Sequence, residues 1–407
     1  MPILSNIGCL AACVDTGKQE DIHTIPDAAM VWEGEHIVWV GEKADLPEEF
    51  KEHERVDAER RLVIPGLVDC HTHLAFGGWR AGEFALRAIG SSYLDIAKAG
   101  GGIASSVKHT RAASEDELYE KSLPILDEMM QLGITTVECK TGYGLTLHDE
   151  LKVLRVYRRL SEAQPVRIVP TLLAAHIVPP EYKSRREDYI QLIIEEIIPA
   201  VASENLAQFC DVFVEETAFE ADEAERIMDV ATSYGLRPKL HVDQLADGGG
   251  AALAASLDAV SADHLEYASE AGIQAMAGKG VVAVSLPFAT FNLRQPAMPA
   301  RAFMNAGVPV AVATDFNPGS APSYHLPAAM YMACIMQRMS PAEVLKGATC
   351  YGAKAIGKAS EVGQLINGHK ADFAIIDAPD VNHWLGHFRP NAALMTVIGG
   401  ETVYSSI

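Results

Sequence analysis

Over residues 1–60, apolar and polar positions alternate in short runs broken by turn residues. The stretch 28–41 has this form twice, around Glu33-Gly34-Glu35, and predicts a hairpin turning there. Residues 361–407 have the same texture: 371–377 and 393–398 look like strands, and Gly399-Gly400 looks like a turn. Both chain ends are therefore expected to be β-structure, pairing into one small domain made of 1–60 and 361–407. Between them, residues 61–360 change period. Eight short runs rich in β-branched residues are predicted as strands, at 67–70, 135–139, 168–173, 211–214, 238–241, 259–262, 281–285 and 308–313. Helical patterns separate most of them. One runs over 114–132, with a capping box at Ser114 and Glu117 and a stop at Gly133. Another begins at Ser340-Pro341-Ala342-Glu343, with proline at the first helical position. Eight strands with helical crossovers predict an α/β chain whose core is a closed (β/α)8 barrel. An open doubly wound sheet is the alternative, but no GxGxxG turn follows the first strand. The long segment between the first two strands must carry helices of its own. It contains Gly100-Gly101-Gly102, either a helix-terminating turn or a hinge for a loop over the site.

A chain of 407 residues with 49% hydrophobic content supports a large core and little disorder. Its net charge of −21 disfavours nucleic acid and anionic membranes as partners. An anionic substrate would need cations placed locally against that field. Seven scattered cysteines without a CxxC pair suggest reduced thiols. No apolar run approaches the roughly 20 residues that span a bilayer, and no basic leader opens the chain, so a cytoplasmic protein is expected.

The chemistry concentrates at the predicted strand ends. His71-Thr72-His73 follows the first strand, His241 ends the fifth, His264 follows the sixth and Asp315 follows the eighth. Each histidine alone could be structural. Residues two apart on a strand point the same way, so His71 and His73 can both face the barrel mouth, where active sites of this architecture lie. Imidazoles and a carboxylate gathered there suit a divalent metal that activates water.

The pattern of His-x-His, His, His and Asp on strands one, five, six and eight resembles the amidohydrolase superfamily. Within it, several motifs resemble the imidazolonepropionase family. They are the run from Val68 through His71-Thr72-His73 to Gly77-Gly78-Trp79-Arg80, Tyr93-Leu94-Asp95-Ile96, the Gly100–Gly102 triplet, Lys140-Thr141-Gly142-Tyr143-Gly144-Leu145, Ala175-His176 with Pro179-Pro180-Glu181-Tyr182, and Ala313-Thr314-Asp315-Phe316-Asn317-Pro318-Gly319-Ser320. The resemblance implies a barrel with a small β-sandwich built from both termini. It implies metal-dependent hydrolysis of 4-imidazolone-5-propanoate to N-formimino-L-glutamate in histidine degradation, with hydroxide attacking the ring carbonyl.

Many superfamily members carry a carboxylated lysine on strand four that bridges two metals. Here Val214-Glu215-Glu216 stands there, without a lysine. The resemblance therefore implies one ion, Fe or Zn, held by His71, His73, His241 and Asp315. His264 is left as base or electrophile, and Asp315 also takes a proton. Arg80 is implied as the clamp for the substrate's propionate. Tyr143 and His176 are implied as hydrogen-bond donors to substrate, and Asn317, Gly319, Ser320 and Tyr93 as further contacts. Gln244 stands where superfamily deaminases use a proton-shuttling glutamate; its amide can hold a ring but has no useful pKa. Lys140 is expected to be a structural ion-pair lysine. Family analogy also implies a homodimer. The rivals are a deaminase or other cyclic-amide hydrolase, and a non-catalytic metal-binding scaffold.

Overall fold

In a computed structural model, which describes residues 1–91 and 100–406, the eight apolar runs are parallel strands of one sheet. In order they are Leu67–Thr72, Ile134–Lys140, Arg167–Ala175, Phe209–Val214, Arg237–Val242, Ser261–His264, Val282–Ser285 and Val310–Val312. They are called barrel strands one to eight below. Neighbours in sequence are neighbours in the sheet, the order of a singly wound (β/α)8 barrel. The Tyr93-Leu94-Asp95-Ile96 motif lies outside the described residues.

The sheet closes mainly at its carboxyl rim. Asp315 N–H donates to the His71 carbonyl at 3.0 Å, and His73 N–H donates to the Phe316 carbonyl at 2.8 Å. Lower down, strand eight is only three residues long and strand one does not pair with it there. The edge groups of Val310 are met instead by a side chain. The Gln19 amide donates to the Val310 carbonyl at 2.8 Å and accepts from its N–H at 3.1 Å, so that it imitates the missing peptide.

The first helix after the strand-one loop is Ala81–Ala88, and Ile103–Ala112 and Glu115–Gln131 follow it. The last has the expected Ser114–Glu117 capping box, and Pro124 sits inside it without ending it. Gly102 caps the start of Ile103–Ala112 with a φ of 70°, so the glycine triplet leads into a helix.

The terminal strands form a second eight-stranded sheet. The hairpin pairs Thr24–Glu33 with His36–Glu42, and Phe373–Ile376, Ala393–Ile398 and Glu401–Ser405 come from the other end of the chain. This sheet curls over itself as a small sandwich. Trp32 and Phe373, on strands that are not neighbours, meet edge to face with centroids 5.5 Å apart. The sandwich is pinned to the barrel through Gln19, and through Lys346, whose ammonium donates to the carbonyls of Thr16, Lys18 and Asp21. No helix of the described residues is long and apolar enough to cross a membrane.

Replacing Gln19 by alanine strands two buried backbone groups. A loss of roughly 1–3 kcal/mol per group is expected, measured as a fall in the denaturation midpoint at unchanged secondary structure. A midpoint equal to that of the unaltered chain would contradict this account of closure.

Candidate active site

Three of the histidines are oriented from beneath. His71 Nδ1 lies 2.6 Å from the Asp263 carboxylate, His241 Nδ1 lies 3.0 Å from Asp211, and His73 Nδ1 lies 3.4 Å from the Thr141 carbonyl. These oxygens can only accept, so each Nδ1 carries the proton and each Nε2 presents a lone pair. His71 Nε2 and His241 Nε2 are buried without a hydrogen-bond partner. Asp315 Oδ1 lies 3.4 Å from His71 Nε2 and 3.6 Å from His73 Nε2. Among the described residues, His71, His73 and Asp315 form one group able to hold a cation, and His71, His241 and His264 form another. Burial first, and then the Lys140 ammonium for His71 and His241 and the neighbouring His176 for His73, hold these rings far below the usual histidine range, so they are neutral. Burial drives the Asp315 carboxyl well above the ordinary range. A divalent ion would reverse that preference and keep it ionised. Neutral imidazoles with orphaned lone pairs beside a carboxylate fit a resident metal.

His264 differs from the other three. Its Nδ1 has no hydrogen-bond partner, and the nearest carboxylate oxygen, on Glu266, is 3.8 Å away. Burial lowers its pKa to about 3, so it is a neutral ring at the rim. The backbone turns sharply there: His264, Leu265 and Asp315 have φ values of 82°, 66° and 55°. L-residues adopt this left-handed region at a cost of roughly 1–2 kcal/mol each, and it aims both side chains across the mouth.

Above the histidines lies a cavity of about 270 Å³. His73, His241, His264, Asp315, Arg80, Tyr143, His176, Gln244, Asn317 and Ser320 line it, as does Gly101 of the glycine triplet. His71 lies beneath the lining, fully buried. Arg80 is buried, with Nη2 3.4 Å from Asn317 Oδ1 and Nε unpartnered. Gly319 makes room for it: a Cβ there would come within 2.0 Å of Arg80 Cζ. The 317–320 loop is set by Asn317 Oδ1, which accepts from the N–H groups of Gly319 and Ser320, both at 2.8 Å.

His176 Nδ1 donates to the Gly142 carbonyl at 3.0 Å. Burial lowers its pKa to about 4, so the ring is neutral, and with Nδ1 donating its Nε2 carries a lone pair. Gln244 is held by its backbone, its N–H donating to Glu215 Oε1 at 2.7 Å and its carbonyl accepting from Gln295. That leaves the side-chain amide on the cavity wall. Lys183, Thr217 and Phe213 also line the cavity; the motif pattern did not mark them. Asp211 and Asp263 were missed too, although a carboxylate inside an apolar strand was a visible signal.

The model of the amidohydrolase family matches residues 62–403. An imidazolonepropionase of Fusobacterium nucleatum is 44% identical over 407 residues, covering 99% of this chain and 98% of that protein. One from Geobacillus kaustophilus is 44% identical over 97% of this chain and 94% of its own length. Among solved structures, atrazine chlorohydrolase from Arthrobacter aurescens, complexed with zinc, shares the fold with a TM-score of 0.76 at 17% identity. That match covers 100% of this chain and 95% of the other. An adenosine deaminase from Xanthomonas campestris with bound zinc gives 0.73 at 18% identity, over 99% and 93% of the two chains.

Gly319→Ala is expected to push Arg80 out of its slot and weaken binding of a small carboxylate ligand roughly tenfold or more. Calorimetric titration measures it; unchanged affinity would mean Arg80 does not serve as the anion clamp.

Proposed function

The chain belongs to the imidazolonepropionase family of the amidohydrolases, and on that premise we propose how its residues hydrolyse 4-imidazolone-5-propanoate to N-formimino-L-glutamate. The observation that carries the reading is the meeting of the histidine Nε2 atoms with Asp315 under a cavity whose wall holds a buried arginine. His71, His73, His241 and Asp315 would hold one divalent ion, Fe or Zn, since an imidazole and carboxylate set suits either. When bound, such an ion lowers the pKa of a water to about 7 and so supplies hydroxide at neutral pH.

The chain's own groups do the rest. Arg80 grips the propionate and supplies the local cation that the net charge of −21 makes necessary. His176 Nε2 accepts from a ring N–H, and Tyr143, buried beside His73 and His176, packs and hydrogen-bonds the ring. The Gln244 amide pairs with the ring amide. Asn317, Gly319 and Ser320 shape the wall; Tyr93, implied as a contact by the family resemblance, lies outside the described residues. Oxygen from water adds to the ring carbonyl carbon, and the carbon–nitrogen bond breaks. Asp315 takes the water's proton and passes it to the departing nitrogen. His264 is neutral, so it donates an N–H to the carbonyl oxygen as charge develops there. Gln244 cannot act as a proton shuttle, which disfavours the deaminase reading.

We also propose that the chain divides into a terminal β domain, 1–60 with 361–407, and a barrel, 61–360. Leu62–Pro65, at the edge of these bounds, pairs with strands of the terminal sheet. Free thiols support a cytoplasmic setting, and exposed Phe388 and Ile335 support a homodimer, which sedimentation equilibrium tests.

Turnover of imidazolone propionate to formiminoglutamate by the metal-loaded protein tests the central reaction. Ammonia release from a nucleobase without that turnover would favour the deaminase. Arg80→Ala is expected to raise KM by roughly 10- to 100-fold with a smaller change in kcat; an unchanged KM would remove it from the carboxylate role. His264→Ala is expected to keep one ion per chain while kcat falls by roughly 10²–10⁴. Loss of the ion in that variant would make His264 a ligand.

A further inference from the structure

Five ionisable side chains form one paired cluster, fully buried beneath the histidines: Glu138 and Lys140 on barrel strand two, Asp211 on four, Lys239 on five and Asp263 on six. Ions buried this deeply must be paired or they destabilise the fold. Lys140 Nζ donates to Glu138 at 2.9 Å and to Asp211 at 2.7 Å, and it lies 3.3 Å from Asp263. Lys239 Nζ donates to the other oxygen of Glu138 at 2.8 Å and to the Ala355 carbonyl at 3.1 Å. The two lysines share burial and charge but not connections. Asp211 and Asp263 are the acids that accept from His241 and His71, whereas Glu138 touches neither histidine.

We infer that Lys140 is a positioning residue for the metal centre: one ammonium fixes two carboxylates, and each carboxylate fixes the tautomer and orientation of one ligand histidine. The inference rests on the reading that His71 and His241 hold the ion. It replaces the expectation of a merely structural ion pair. Its geometry is specific, because Asp263 Oδ2 lies 2.6 Å from His71 Nδ1 and 3.3 Å from Lys140 Nζ. Without Lys140, two adjacent buried carboxylates repel each other with nothing between them, and the rings they hold can turn.

Electrostatics alone would predict the opposite outcome. An ammonium this close to a cation site opposes the cation, so its removal should tighten binding. Positioning predicts looser binding, since outer partners of metal-ligating histidines are worth roughly 10- to 100-fold in affinity. The sign of the change therefore decides between the two.

The test uses the whole chain loaded with Co(II), with affinity measured by competition with a chromophoric chelator and ligand geometry read from the visible d–d bands. Lys140→Met is expected to bind Co(II) roughly 10- to 100-fold more weakly and to shift the bands. Lys239→Met, equally buried, is expected to leave both close to those of the unaltered chain. Should Lys140→Met lack native circular dichroism, Lys140→Gln, which keeps a shorter donor, carries the same two measurements. Unchanged or tighter binding with unmoved bands would overturn the inference, and so would equal losses in the Lys140 and Lys239 variants. Failure of the unaltered chain to take up Co(II) would instead overturn the metal reading, and this inference with it.

Discussion

The mouth of the barrel depends on which nitrogen of each histidine carries its proton. An imidazole can donate from one nitrogen and offer a lone pair from the other, and its partner decides which. Here the partners of His71, His241 and His73 are two carboxylates and a carbonyl, none of which can donate. All three rings are thereby locked with Nε2 free and aimed at the rim. Had N–H groups stood in those places, the same histidines would present protons and could hold no cation. The proposed ligand set is thus shaped by residues outside it.

This arrangement also explains an otherwise costly interior. A barrel of this kind is normally filled by layers of apolar side chains. Part of this one is filled by three acids and two lysines without exposure to water. Such a cluster adds little to stability compared with apolar packing of the same volume. It does supply fixed acceptors at the base of His71 and His241. Closure of the sheet serves the same end. Strand one and the segment after strand eight are joined at the rim by bonds from Asp315 and His73 themselves, while Gln19 fills the gap below. The cavity wall follows a similar logic, with a glycine at 319 admitting a buried arginine.

Much of this was legible in the sequence. The eight strand runs, the terminal hairpin and the Ser114 box depend on neighbours a few residues away, and local pattern reports such neighbours faithfully. The strand-end histidines and Asp315 were legible because period-two geometry fixes which residues share a face. What stayed hidden depends on distant partners. Asp263 meets His71 across 192 positions and Gln19 meets Val310 across 291. The signal for the buried cluster was present as charges inside apolar strands, at Glu138, Lys140, Asp211, Lys239 and Asp263. Pairing between strands was needed to turn those charges into a network. The tautomer of His176 stayed hidden for a related reason, since it depends on the Gly142 carbonyl on another loop.

The central claim is that one ion sits among His71, His73, His241 and Asp315. Anomalous diffraction from crystals of the metal-loaded chain, collected on both sides of the iron and zinc absorption edges, tests it most directly. The account predicts one peak per chain, about 2.0–2.2 Å from each histidine Nε2 and the Asp315 oxygen. Two peaks, a peak held by His264 in place of His73, or no peak at the rim would contradict it.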